Sequence, residues 1–148
     1  QGYEAGRLAH PDLFHECVKP YDLRVMREIN ERCRFSVLHI CDYHAPYDDI
    51  SPFVEYPGTV VNCNPVVGNR KLSGSEIAAM FGRPFMGGIY RKGPIATGSE
   101  DDARQAAREA LAEAPSPTIL AADCTIPPGS PWENLRAAIE EAHAWKAG

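Results

Sequence analysis

Three side chains in this sequence have the chemistry of a divalent-metal donor set: His39, Cys41 and Cys124. An imidazole and two thiolates suit zinc, and three protein ligands leave a fourth position open, as a catalytic zinc requires. His39 and Cys41 lie two residues apart in "SVLHICDYHAPYDDI". On a strand that spacing puts both on one face, because side chains repeat every second residue. Cys124 closes "PTILAADC", in phase with Thr118, Leu120 and Ala122, and is expected to present its sulfur from the strand end in the same way. A bland reading stands beside this one. Cysteine is among the most buried residue types, and a strand-end histidine is often a hydrogen-bonded core residue.

Geometry separates the two readings. In a flat sheet, three strand steps of roughly 4.8 Å hold the first and fourth strands about 14 Å apart, too far to share an ion. In a barrel the same strands aim their ends at one axis. A shared metal therefore demands curvature, and an open flat sheet excludes it.

The elements that must deliver this curvature alternate along the chain. Asp12 to Val18 reads as a short helix broken by Pro20, which cannot donate to the preceding turn. Tyr21 to Arg32 reads as a helix with Leu23, Met26, Ile29 and Cys33 along one side. In "RFSVLHIC", alternation puts Phe35, Val37, His39 and Cys41 on one face, with Ser36, Leu38 and Ile40 on the other. Ile50 to Tyr56 is a weak helix, and "GTVVNCNP" is a second strand. "KLSGSEIAAMFG" carries a capping box, Ser73 with Glu76, and stops at Gly82. "RPFMGGIY" is a third strand. Ser99 and Asp102 cap the next helix, whose inner stripe is Ala103, Ala106, Ala107, Ala110, Leu111 and Ala114. After the fourth strand, Ser130 as N-cap, Pro131 at N1 and Glu133 open the last helix.

The order is a helix followed by four strand–helix units, so the strands are expected to run parallel. The fold class is α/β. A full (β/α)8 barrel takes about 250 residues, and four units make half of one. The loops Asp42 to Asp49, Pro65 to Leu72 and Tyr90 to Thr97 leave the C-terminal strand ends, where such folds place their sites. Those ends also offer Asn62, Cys63, Asn64, Gly87, Gly88 and Asp123. Asp123 reads as a partner orienting Cys124 or as a solvated carboxylate. His44, Asp48 and Asp49 read as loop charges, and Tyr43 and Tyr47 as rim aromatics. Arg83 reads as structural, and Arg91 as a residue for a ligand's carboxylates.

Composition excludes several classes. The 148 residues are 44% hydrophobic and 24% charged, enough to bury a core. The net charge of −5 comes with no basic stripe for nucleic acid. No apolar run has the length of a membrane span, and no signal peptide is expected from the pattern of the opening residues. Five widely spaced cysteines are an odd number for a disulfide framework and point to a reducing cytoplasm. The chain opens on Gln1 in mid-pattern, so one segment of a longer protein, spanning residues 1–148, is expected.

Four stretches together carry a resemblance: "FHECVKPYDLRVMREI", "VLHICDY", "FMGGIYRKGPIATGSEDDARQ" and "ILAADCTIPPGSPWENLRAAIEEAH". The chain resembles the C-terminal half of the uroporphyrinogen decarboxylase superfamily. The superfamily contains the decarboxylase of haem biosynthesis and the zinc-dependent cobalamin:thiol methyltransferases. The resemblance implies a (β/α)8 TIM barrel. In the methyltransferase branch, His-x-Cys at one strand end and a Cys at the last strand end bind zinc, and His39, Cys41 and Cys124 match those positions one by one. The true decarboxylases lack the His-x-Cys and carry a histidine at the last position, where this chain has Cys124. The branch often has a carboxylate near zinc on the next strand, where this chain has Asn62, Cys63 and Asn64.

The resemblance thus implies transfer of a methyl group from a corrinoid to a small thiol, with zinc activating the thiolate. A free thiol has a pKa near 8.5, so it needs that activation at neutral pH. Asn62, Asn64, Gly87 and Gly88 are expected to contact substrate or corrinoid, the glycines by letting the backbone approach a bulky ligand. A corrinoid or corrinoid protein is the expected partner. Two other readings compete. One is porphyrinogen decarboxylation without a metal. The other is a non-catalytic truncated barrel that self-associates through its exposed edges.

Overall fold

The computed structural model describes residues 10–42 and 46–146. Tyr43 and His44 lie outside the described residues. The first helix does not break at Pro20. A turn at Pro11–Leu13 passes through a π-helical stretch, Phe14–Val18, into α1, Lys19–Arg32. A proline inside a helix lacks an amide hydrogen, and its ring collides with the carbonyl four residues back. The wider stretch absorbs both problems: the Lys19 amide donates to the Phe14 carbonyl, five residues back. Of the side expected to be buried, Leu23 is buried and Met26 packs on the core, whereas Ile29 and Cys33 are exposed.

Four strands follow: β1 (Val37–Ile40), β2 (Val60–Cys63), β3 (Phe85–Ile89) and β4 (Thr118–Ala122). They form one parallel sheet in the order β1-β2-β3-β4. The predicted α/β architecture is the observed one, and it accords with part of a TIM barrel. The helices between and after the strands are α2 (Gly74–Phe81), the short α3 (Pro94–Thr97), α4 (Glu100–Ala112) and α5 (Trp132–Ala144). The expected helix over 50–56 is only a 3-10 turn, Ser51–Phe53. A small antiparallel ribbon, Val66–Val67 with Arg70–Lys71, sits in the loop after β2.

The capping boxes of α2 and α4 form as predicted, Ser73 with Glu76 and Ser99 with Asp102, and Gly82 ends α2 in the left-handed conformation. The cap of α5 lies one residue later than predicted. The Ser130 hydroxyl donates to the Pro127 carbonyl and closes a turn of its own, so Pro131 becomes the N-cap. Asn134, buried on the first turns of α5, donates to the carbonyls of Pro94 and Gly98 and locks the helix onto the end of α3. Ion pairs Arg104–Glu140 and Arg108–Glu141 join the outer faces of α4 and α5.

The core lies between the sheet and the helices. Leu38, Ile40, Val61, Cys63, Ile77, Phe81 and Phe85 form its centre, joined by Phe14, Tyr47, Phe53 and Tyr56. The rings of Phe14, Tyr47 and Tyr56 each meet Phe53 edge-on, the geometry that the ring quadrupoles favour. A second cluster joins Ile89, Ile95, Ala107 and Ala138. Arg83, below β3, donates to the carbonyls of Val54, Tyr56, Gly58 and Phe81, a purely structural place. On β1 the alternation is as predicted: Leu38 and Ile40 are buried in the core, Val37 and His39 face the opposite, open side. No described helix is long and apolar enough to cross a membrane.

Candidate metal centre

β1 lays His39 on the open face of the sheet, and Cys41 leaves the strand end directly after Ile40. β4 delivers Cys124, but not by its phase. Thr118 pairs with Phe85, and Leu120 packs in the core cluster of Ile89, so Thr118, Leu120 and Ala122 share the helix side. Continued alternation would have sent Cys124 there too. Instead the strand ends at Ala122 and the backbone bends at Asp123 and Cys124. The bend brings the Cys124 sulfur to 3.7 Å from that of Cys41.

The ligand atoms of His39, Cys41 and Cys124 all lie within 4.8 Å of one another. No disulfide joins the two cysteines, since that bond would need about 2.05 Å. Two sulfurs at about 2.3 Å from a tetrahedral zinc stand about 3.8 Å apart, so the sulfur pair already has the spacing of a zinc edge. The imidazole must close to about 3.5 Å from each sulfur for the same geometry. His39 is exposed and has room to do so. The donor set therefore fits a metal, and zinc in particular.

Asn62 settles which nitrogen of His39 is available. It is buried on β2, directly across from His39 in the register. Its Nδ2 donates to the Met86 carbonyl at 2.7 Å and to the Ala122 carbonyl at 3.0 Å. Carbonyls only accept, so the amide cannot be turned around, and Oδ1 must be the atom facing His39. That oxygen stands 2.5 Å from His39 Nδ1. Nδ1 must then carry the proton, and Nε2 keeps the lone pair that a metal needs. One amide thus touches β1, β3 and β4 from β2 and fixes the histidine tautomer.

With this geometry in view, the family model described as "Uroporphyrinogen decarboxylase (URO-D)" matches residues 4–145, nearly the whole chain. The chain belongs to the uroporphyrinogen decarboxylase family. No curated protein and no solved structure matches it.

In this uroporphyrinogen decarboxylase family chain a second layer of buried charge lies against the thiols. Asp42 follows Cys41, and Asp123 precedes Cys124. Arg91, just beyond β3, donates from Nη1 to Asp42 Oδ1 at 3.1 Å and to Asp123 Oδ2 at 3.2 Å. Its backbone amide donates to Asp123 Oδ1 at 2.7 Å. Asn64 donates to Asp42 Oδ2 at 2.6 Å. Burial alone would discourage the Arg91 cation, but the Asp123 and Asp42 carboxylates outweigh it and hold its pKa above the ordinary arginine value. Asp123 is buried rather than a solvated carboxylate. No buried side-chain nitrogen or oxygen among the described residues lacks a partner.

The remaining candidates fall in different places. Cys63 is in the core, and burial, with the charges of Asp42 and Asp123, pushes its thiol up to about 12. It stays protonated at neutral pH and is no ligand. Asn62 and Asn64 spend their amides on His39, on backbone carbonyls and on Asp42. A Cβ on Gly87 would stand 2.3 Å from Phe85 Cζ, so the space this glycine leaves is filled by the chain's own ring. Gly88 adopts φ +102° and abuts Ala110 of α4. Tyr47 is buried, donates to the Cys41 carbonyl and packs on Phe53. Sequence reasoning gave Arg91 to a ligand's carboxylates and gave Asp42 no role beyond opening the loop after the first strand. The signal that could have corrected both is the pairing of each thiol with an adjacent aspartate.

Proposed function

We propose that this uroporphyrinogen decarboxylase family chain takes part in zinc-dependent transfer of a methyl group from a corrinoid to a small thiol. The observation that carries the reading is the sulfur pair of Cys41 and Cys124, 3.7 Å apart beside His39. Metal-free decarboxylation has no use for two thiols and an oriented imidazole converging on one point.

Zinc held by His39, Cys41 and Cys124 supplies the positive charge that lets a substrate thiol lose its proton at neutral pH. The chain's residues prepare for this. Asn62 keeps the proton on His39 Nδ1 and leaves Nε2 to bind. Cys41 and Cys124 serve as thiolates, whereas Cys63, with its raised pKa, stays outside the chemistry. A methyl-corrinoid bound there would supply the methyl carbon to the substrate sulfur as its cobalt–carbon bond broke, keeping that bond's electron pair, while the thiol proton would pass to solvent.

The test is methyl transfer from methylcobalamin to 2-mercaptoethanol, followed by the absorbance of the corrinoid, with and without zinc. Activity should need zinc and fall at least 100-fold in Cys124→Ala. Zinc-independent turnover, or decarboxylation of a porphyrinogen by the zinc-free protein, would contradict the proposal.

A further inference from the structure

We propose that Arg91 is a positioning residue: by gripping Asp42 and Asp123 with one nitrogen, it sets the distance between the Cys41 and Cys124 sulfurs before a metal arrives. The inference rests on reading His39, Cys41 and Cys124 as a metal site.

β1 and β4 are the two edges of the sheet, with β2 and β3 between them. No ladder of backbone hydrogen bonds fixes their separation. Yet Cys41 and Cys124, which leave those two strands, approach to 3.7 Å. Asn62 links His39 to the Ala122 carbonyl, two residues before each cysteine, and beyond the strand ends a further link must hold the sulfurs together. Asp42 and Asp123 alone would do the opposite, since two buried carboxylates repel. Arg91 lies between them with its Nη1 at 3.1 Å from one and 3.2 Å from the other. Asn64 holds the far oxygen of Asp42, and the Arg91 amide holds the far oxygen of Asp123. The belt therefore takes one residue from beyond each of the four strands, in the order Asp42, Asn64, Arg91, Asp123. The arginine and aspartate side chains are between 2% and 6% exposed, so their geometry is not loosened by water.

Buried ion pairs of this kind are weak contributors to stability, and their best-attested use is to specify one arrangement over others. Here the arrangement specified is the spacing of the two residues covalently next to the aspartates. One peptide link separates each gripped carboxylate from its thiol-bearing neighbour, so a shift of the belt is passed to the sulfurs.

The test uses metal-free protein carrying Cys17→Ser and Cys33→Ser, which removes the exposed thiols. Phenylarsine oxide, a trivalent arsenical that bonds two neighbouring thiols at once, reports the sulfur spacing without any metal. Cobalt(II) titration, followed by its thiolate charge-transfer absorption, reports metal affinity. Arg91→Met is expected to slow arsenical capture and weaken cobalt binding at least tenfold while the protein still melts cooperatively. Arg91→Lys should recover most of the loss, because an ammonium can donate to both carboxylates. Arsenical capture within twofold of the parent in folded Arg91→Met would overturn the proposal. If Arg91→Met does not fold, Asp42→Ala removes the acceptor and cuts one arm alone, with slowed capture supporting the proposal and unchanged capture overturning it. A parent protein that captures the arsenical but binds no zinc removes the methyl-transfer reading and leaves the role of Arg91 standing. A parent protein that captures no arsenical removes the role of Arg91.

Discussion

Asn62 Oδ1 stands 2.5 Å from His39 Nδ1, and the same amide donates to the carbonyls of Met86 and Ala122. A single buried side chain on β2 thereby sets the tautomer of a candidate metal ligand and ties three other strands to its own. The three bonds cannot be separated, because the two donors fix where the acceptor points.

Replacing Asn62 with Ala should lower both stability and metal affinity. Two part-buried carbonyls lose a donor, a cost of about 1–3 kcal/mol each at most. Removing the partner of a metal-bound histidine typically costs about 10–100-fold in affinity. Urea unfolding and competition against a chromophoric chelator measure the two effects. Asn62→Asp should be worse in stability, since a carboxylate would face the Met86 and Ala122 carbonyls. Unchanged affinity in a folded Asn62→Ala would show that His39 needs no such support.

Asn134→Ala separates fold from site. Its amide ties α5 to the carbonyls of Pro94 and Gly98. Losing both bonds should cost about 1–3 kcal/mol in urea unfolding, while zinc affinity of the folded protein stays within twofold.

Gly87→Ala should act on stability rather than on a ligand. The added Cβ would meet the Phe85 ring at 2.3 Å, and overpacking of this sort costs about 1–3 kcal/mol. A lowered melting temperature with unchanged KM for the methyl donor is expected. The reverse pattern would return Gly87 to ligand binding.

These placements show where the sequence was legible. Alternation in "VLHI" correctly split Leu38 and Ile40 from Val37 and His39, because one face of β1 packs on helices and the other does not. The caps at Ser73 and Ser99 were legible because the capping box is a local structure. The phase of Cys124 misled, because alternation holds only while the strand lasts, and β4 stops two residues short. Asn62 and Arg91 were read as ligand contacts because their partners are distant in sequence: Asn62 reaches Ala122, 60 positions on, and Arg91 reaches Asp42, 49 positions back. The ribbon beside β2 was missed because its two-residue strands carry no periodicity.

Cys63 should resist alkylation at neutral pH. Its thiol is buried and its pKa is pushed from 9.0 up to about 12. A pKa raised by folding contributes stability in full below pH 9.0, and that contribution fades as pH climbs toward about 12. Within that window the loss is about 1.4 kcal/mol per pH unit at most. Iodoacetamide labelling read by mass spectrometry should modify Cys17 and Cys33 first, with Cys63 modified only on unfolding or at strongly alkaline pH. Prompt labelling of Cys63 in folded protein at pH 7 would contradict its place in the core.

The most direct measurement is zinc K-edge X-ray absorption on the zinc-loaded protein. Two sulfurs at about 2.3 Å and one imidazole nitrogen at about 2.0–2.1 Å are expected, with one sulfur lost in Cys124→Ala and the nitrogen lost in His39→Ala. A shell of oxygen and nitrogen alone, or one that neither substitution changes, would contradict a metal centre at His39, Cys41 and Cys124.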